Sequence, residues 1–447
     1  MITWHSRSLL LAGLLLCCGC ASYADRIAQI RAAYYSGGLE SAVTLTDEAL
    51  KSDRTDADVL RLEQAMIHLA AGRPQQAEQT LRLVRDQFDE LERAELSGKA
   101  TSALSYLSDD QRRVYAGEDY EKILIRVFLS LSNLMHDGGD AEAYSLQVID
   151  KQQQIIDAAV DNKGENPKAN YQRVALAPYL RGVLREATHV DYDDAERSFT
   201  AVAQWQPQFV AAQADLERAK HGAHSAPGNG VLYVFTLVGR GPYKQVAEEI
   251  PSTAALLVAG EILSAAGGQT VPPNIATIKV PRVCAQINEI GSVGVDVDGQ
   301  PIGATATVTD VTELAINQYS AIYPQVVARA VARRVLKKGV VYGTKEFTGI
   351  SKGTPLNLAV DLLGVAWEAT ESADTRCWGL LPDKIQVLRI ELPAGDHQVA
   401  LRGLYRTGIA SALTTTQSVR LVDGRNTYML ASFPSTQLVG QILVSQP

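Results

Sequence analysis

Ser351 stands in Gly349-Ile350-Ser351-Lys352-Gly353, and Asp374 and His397 follow it in the order Ser, Asp, His. The Gly-x-Ser-x-Gly spacing exposes a nucleophilic hydroxyl on a sharp turn, and the three groups together would carry out acyl transfer. Such an elbow needs a buried parallel strand leading into the serine, inside repeated βαβ units. Residues 342–348 are polar instead, and His397 falls at the edge of a hairpin. A serine hydrolase using Ser351 is therefore the enzymatic alternative, and the main expectation is a protein with no catalytic residues. Metal chemistry has less support. The seven His are scattered, with no His-Glu-x-x-His and no Cys-x-x-Cys beyond the first twenty residues. No metal or cofactor is expected.

Two basic groups are candidates for holding an anion. Gly239-Arg240-Gly241-Pro242-Tyr243-Lys244 follows a strand-like run, and Arg240 and Lys244 on a glycine-rich turn suit a phosphate or a sugar carboxylate. The turn lacks the Gly-Lys-Ser/Thr ending of a P-loop, and a plain tight turn reads the same way. Arg329, Arg333 and Lys337 recur every four residues, a basic stripe toward a helix C-terminus that fits a lipid headgroup, a glycan or the acidic half of the chain. A solvated helix face has the same pattern. Cys284 and Cys377 are either a bridge that would close a loop of about 93 residues or two separate buried thiols.

The other three cysteines explain where the chain resides. His5 and Arg7 precede the apolar run 9–16, the plan of a secretory signal too short to span a bilayer. Leu16-Cys17-Cys18-Gly19-Cys20-Ala21 resembles a bacterial lipobox, with residues 1–19 removed and Cys20 acylated. Several buried acyl chains at about 0.8 kcal/mol per CH₂ would make membrane attachment effectively permanent. Ala21 after the cysteine implies sorting to the outer membrane, facing the periplasm. Residues 20–24 form a short tether, which places the first domain close to the membrane.

Elements must position these groups, and the 447 residues fall into two halves. From 25 to 222 the pattern is helical, rich in Ala, Leu, Gln, Glu and Arg. Gly37-Gly38-Leu39-Glu40-Ser41-Ala42 recurs as Gly72-Arg73-Pro74-Gln75-Gln76-Ala77, then as Gly138-Gly139-Asp140-Ala141-Glu142-Ala143 and as Val190-Asp191-Tyr192-Asp193-Asp194-Ala195. These copies resemble the tetratricopeptide repeat, with glycine at the turn, alanine at the helix crossing, and Phe199 and Pro207 completing the fourth. The resemblance implies helical hairpins whose groove holds a protein partner; an array serving only as a spacer is the alternative. Residues 20–222 hold 23 Lys+Arg and 33 Asp+Glu, whereas residues 223–447 hold 18 and 17, so the acidic charge lies in the helical half. A net charge of −8 argues against nucleic acid as a partner.

Residues 223–230 are small, uncharged and turn-rich, and the domain boundary is expected there. Beyond it, 231–238 reads as a strand buried on both faces. Further strands are expected at 276–280, 293–297, 304–308, 386–392, 397–402, 418–421 and 426–432, with Asp298-Gly299 as a type I′ hairpin turn and another turn at 393–396. Pro324 should open a helix over 325–338, and 357–371 reads as a buried helix. The expected fold is multi-domain: helical repeats, then an α+β half, 231–447, with a β-sandwich-like sheet and packed helices.

Ala373-Asp374-Thr375-Arg376-Cys377-Trp378-Gly379-Leu380-Leu381-Pro382 is similar to a motif of a bacterial lipoprotein family with tetratricopeptide-like N-termini and β-rich C-termini. So are Gly117-Glu118-Asp119-Tyr120-Glu121 and residues 326–338. The resemblance implies the anchor, the repeats and the β-rich half, and no activity. Within the motif, Asp374, Arg376 and Trp378 alternate, so one face can hold an Asp–Arg pair against the indole. Together these readings describe an outer-membrane lipoprotein that binds protein without catalysis. It is expected to serve cell-envelope assembly, with peptidoglycan or its synthases as the further partner.

Overall fold

The computed structural model describes residues 23–52, 55–96, 114–161, 164–265, 270–271, 277–347 and 373–446. Among them, nine helices occupy the first half: α1 (Tyr23–Tyr35), α2 (Leu39–Ser52), α3 (Ala57–Ala70), α4 (Pro74–Leu96), α5 (Asp119–Leu134), α6 (Ala141–Asp157), α7 (Leu176–Glu186), α8 (Tyr192–Trp205) and α9 (Ala211–Lys220). Each packs on the next in the chain, giving four hairpins closed by α9. The turn within a hairpin needs a residue with left-handed backbone. Gly37, Gly72 and Gly138 provide it at φ of +82°, +78° and +73°. The fourth turn has no glycine; His189 takes φ +61° there, and its ring is bonded to the Gly424 carbonyl 2.8 Å away. Ala42, Ala77 and Ala195 are buried at helix crossings as expected, but the third copy slips: Ala141 is buried and Ala143 is exposed.

The second half is built on β1 (Asn229–Val238), of which the last nine residues are all buried. Successive side chains of a strand point to opposite faces. Val231, Tyr233, Phe235 and Leu237 therefore face the helices, whereas Leu232, Val234 and Val238 face a second sheet. The remaining elements are β2 (Tyr243–Glu249), α10 (Thr253–Ala265), β3 (Ile278–Cys284), β4 (Ile290–Val297), β5 (Gln300–Ala304), β6 (Ala306–Asp310), α11 (Val311–Phe347), β7 (Lys384–Pro393), β8 (Gly395–Tyr405), β9 (Thr415–Leu421), β10 (Asn426–Phe433) and β11 (Val439–Val444). The first sheet runs β11-β10-β1-β7-β6 and the second β5-β4-β8-β9, with β2 and β3 as a separate ribbon. β1 runs parallel to β10, with Tyr233 opposite Tyr428, and antiparallel to β7. The two sheets close over Val293, Val295, Val399, Leu401, Met429 and Phe433. The expected sandwich is thus present in an α+β, multi-part chain.

Several local expectations change. Residues 223–230 are docked on the sheet: the Ala226 amide donates to Glu391 at 2.8 Å and the Gly228 amide to Asp423 at 2.9 Å. One apolar cluster runs from Ile27 and Ile30 through Tyr179 and Phe199 to Tyr233, Phe235 and Leu430, so the halves share a core. Pro324 lies inside α11 and does not open it. The helix continues because both flanks are packed, Tyr319 into the main core and Val327 and Val331 into a satellite core with α10 and β3. Asp298 and Gly299 do form the expected turn, at φ +51° and +81°. The turn at 393–396 joins no hairpin, because β7 and β8 belong to different sheets. The helix expected at 357–371 lies outside the described residues.

A shared core makes the halves cooperative. The chain is expected to melt in one transition, and Phe235→Ala to lower its unfolding free energy by about 3–5 kcal/mol; two separate transitions in a calorimetric scan would contradict the shared core.

Candidate functional site

Backbone that joins neither helix nor sheet still needs partners for its N–H groups. Residues 373–380, between α11 and β7, are such a segment, and the helices supply the partners. Glu63 on α3, with none of its surface exposed, accepts the Gly379 and Leu380 amides at 2.9 and 3.0 Å. Arg31 donates to the same carboxylate at 3.0 Å and to the Cys377 carbonyl at 3.0 Å. Tyr35, one turn further along α1, donates its hydroxyl to the Gly379 carbonyl at 3.2 Å. Glycine at 379 makes room for this contact: a Cβ there would sit 2.0 Å from the Arg31 guanidinium carbon, and Arg31 would have to shift.

A second carboxylate repeats the arrangement. Glu121 on α5, fully buried, accepts the Trp378 amide at 2.8 Å. It also accepts the Glu118 amide at 2.9 Å, closing a capping box at the start of α5. The hydroxyls of Tyr115 and Tyr120 complete the set. Burial pushes the Glu121 carboxyl above its ordinary range, and nearby Lys244 and the Trp378 amide pull it back. Two of the motifs that carry the lipoprotein resemblance, 117–121 and 373–382, therefore meet across 257 residues.

Asp374 and Arg376 form a bidentate pair at 2.8 and 2.9 Å, and Arg376 also reaches Asp56 at 2.8 Å. The guanidinium stacks on Tyr115, 5.4 Å away, and not on Trp378 as the alternation implied. Trp378 packs against Phe128 of α5, ring centres 5.4 Å apart. The segment is not a strand, so alternation does not set its faces.

The other sequence candidates scatter. Lys244 is buried and paired with Glu118, so it is no surface ligand. Burial would lower its pKa, but Glu118 and Glu121 hold it above the usual lysine range. Arg240 stays exposed and stacks on Tyr35 at 4.0 Å, so the two do not converge on an anion. The stripe on α11 is broken as well: Arg329 is exposed, Arg333 is buried, and the Lys337 side chain lies outside the described residues. Cys284 and Cys377 are free thiols, not a bridge: Cys284 ends the edge ribbon, and Cys377 is buried beneath α1. Burial pushes the Cys377 thiol up, which removes nucleophilic reactivity. Ser351 and Cys20 lie outside the described residues. His397 donates from Nε2 to the Pro393 carbonyl at 2.8 Å and pairs through Nδ1 with Asp298 at 2.7 Å, while Asp374 is held by Arg376. The Asp–His half of a triad is therefore not assembled. Among the described residues, no group of three or more His, Cys, Asp or Glu is placed to hold a metal ion.

Glu63, Arg31, Asp56 and Tyr115 carried no sequence signal of their own, because each gains its role from a segment hundreds of residues away. Comparison with models of protein families, with curated proteins and with solved structures returned no match. Chemically, the arrangement grips a peptide backbone through buried carboxylates on α3 and α5, with Arg31 and Tyr35 of α1 donating to its carbonyls. The peptide it grips is the chain's own.

Glu63→Ala is expected to cost about 3–5 kcal/mol, because it strands Arg31 and two buried amides. Amide hydrogen exchange should accelerate at Gly379 and Leu380 before the rest of the protein; unchanged protection would contradict the cradle. For His397, burial works against the proton, but Asp298 and the Pro393 carbonyl outweigh it and raise the pKa above 6.5. Its contribution to stability is then complete below the unfolded pKa and is lost as pH rises through the folded one. An NMR titration should give a midpoint above 6.5 that returns toward 6.5 in Asp298→Asn.

Proposed function

We propose that this chain is a lipid-anchored scaffold of the outer membrane, facing the periplasm, that binds protein and catalyses nothing. In this reading Cys20 carries the anchor, and the hairpins are a tetratricopeptide-like array. The observation that carries it is the cradle: Glu63 on α3 and Glu121 on α5 take the backbone amides of residues 378–380, so the inner helices already bind a segment that belongs to no helix or sheet. The candidate nucleophile partners offer no competing chemistry, since Asp374 and His397 are each engaged elsewhere. With the inner row taken by residues 373–380 and by β1 on α7, a protein partner belongs on the outer row, α2, α4, α6 and α8. Leu83 on α4 is 63% exposed and Leu146 on α6 is 41% exposed.

Labelled palmitate should be incorporated by the wild type and lost in Cys20→Ser. A photo-crosslinker at Leu83 should capture a protein in the cell envelope. Capture only from positions beyond residue 230 would reduce the helices to a spacer, and hydrolase activity abolished by Ser351→Ala would replace the scaffold with an enzyme.

A further inference from the structure

Two histidines meet where the helical half is seated on the sheet. His189 lies in the turn between α7 and α8, and His224 in the segment that carries α9 into β1. Their ring centres are 4.7 Å apart, edge to face. His189 is exposed, and its Nε2 donates to the Gly424 carbonyl of the β9–β10 turn at 2.8 Å. It does so from a backbone at φ +61°, which glycine adopts freely and histidine does not. The other three hairpin turns have glycine there. What position 189 adds is the ring, with its contacts to Gly424 and His224.

His224 is buried, with 2% of its surface exposed. Its Nε2 donates to Asn426 Oδ1 at 2.7 Å, and the Asn426 amide nitrogen, which donates to the Tyr428 hydroxyl at 3.1 Å, fixes that orientation. Its Nδ1 meets the Ser225 hydroxyl at 3.1 Å, and the same hydroxyl lies 3.2 Å from the Asn229 carbonyl. A hydroxyl has one proton to give. With His224 neutral, Ser225 donates to Nδ1. With His224 protonated, Nδ1 donates to Ser225, whose own proton turns to Asn229. The hydrogen bonds are complete in both states, so charge decides whether the second proton is held.

Charge reaches the ring from every element around it. Arg389 on β7 donates to the His224 carbonyl and lies 3.7 Å from Glu391. Arg218 on α9 is bonded to Glu186 of α7 at 3.0 Å and to Asp215 at 2.8 Å. Tyr192 of α8 and Tyr233 of β1 both lie toward Glu186. Asp423, beside Gly424, accepts the Gly228 amide. The carboxylates are thus engaged by arginines or by backbone. Burial lowers the His224 pKa from its ordinary 6.5; the bond to Asn426 works against that, and His189, Arg389 and Arg218 lower it further. Its share in the closed seam is therefore complete above 6.5 and is lost as pH falls through the folded value.

We propose that His189 and His224 form an acid-sensitive latch: once both rings carry protons they repel across 4.7 Å, and the α7–α8 turn parts from the β9–β10 turn while the shared core behind it stays closed. The latch goes beyond the scaffold reading and does not depend on it, since no partner, anchor or membrane enters. The test is amide hydrogen exchange of the full-length protein at about pH 7.5 and about pH 5.5, corrected for the intrinsic rate. In the closed turn the His189 amide donates to the Glu186 carbonyl at 3.1 Å and the Asp191 amide to the Thr188 hydroxyl at 3.0 Å. Their protection is expected to fall about tenfold at the lower pH, the limit that one proton sets over the pH unit below 6.5. Tyr233 to Leu237 should keep theirs. His189→Gly retains the left-handed turn and removes the second ring. Exchange at residues 187–191 should then no longer respond to pH, and the His224 midpoint, read by NMR, should rise above that of the wild type. Unchanged protection at the lower pH, an equal loss from Tyr233 to Leu237, or a His224 midpoint that His189→Gly does not move would each overturn the latch. The first two outcomes are read on the wild type, so they stand whether or not the variant folds.

Discussion

A strand whose side chains are apolar on both faces cannot leave either face to water. β1 is that strand, and it lies in the middle of its sheet. At about 25 cal/mol per Å² of apolar surface, uncovering Tyr233, Phe235 and Leu237 would cost several kcal/mol, and so would uncovering Leu232, Val234 and Val238 on the other side. The second sheet covers one face and the inner helices cover the other. The helical half is therefore one wall of the sandwich and not an appended module. Tyr179 of α7 shows this directly, since its ring meets Phe199 and Phe209 among the helices and Tyr233 and Phe235 on the strand.

Once α7 is pinned to the sheet, the rest of the inner row faces the chain that leads into β7. Residues 373–380 must pass along α1, α3 and α5 without sheet partners. An apolar lining there would leave their amides unpaired, at about 1–3 kcal/mol each. Glu63 and Glu121 meet that need, and Arg31, Lys244 and the tyrosines keep the buried carboxylates satisfied in turn. The interactions form one connected set, which explains why polar residues that look like surface charge in the sequence sit in the interior.

The sequence announced what depends on near neighbours. β1 was recognisable from its unbroken apolar run, the turn at Asp298-Gly299 from its dipeptide, and the hairpin turns from Gly37, Gly72 and Gly138. It misled where a distant partner decides. Lys244 reads as an exposed cation because Glu118 is 126 residues away. Arg333 reads as part of an exposed stripe, although the helix around it is buried against α10. Pro324 reads as a helix start because its missing N–H is a local fact, while the packing of Tyr319 and Val327 that carries the helix past it is not. β2 went unread because its burial alternates only over a ribbon paired with β3.

The cradle shows the same division. The motif at 373–382 stood out by composition, and so did Gly117 to Glu121, yet nothing in either said that they touch. Side-chain periodicity, turn dipeptides and charge balance are properties of a few adjacent residues, so the sequence alone determined a helical half, a β-rich half and their order. Which carboxylates are buried, which amides they receive and which face of the array stays open depend on contacts between residues far apart in the chain. Those contacts exist only once both faces of β1 are covered, and the tertiary structure alone decided them.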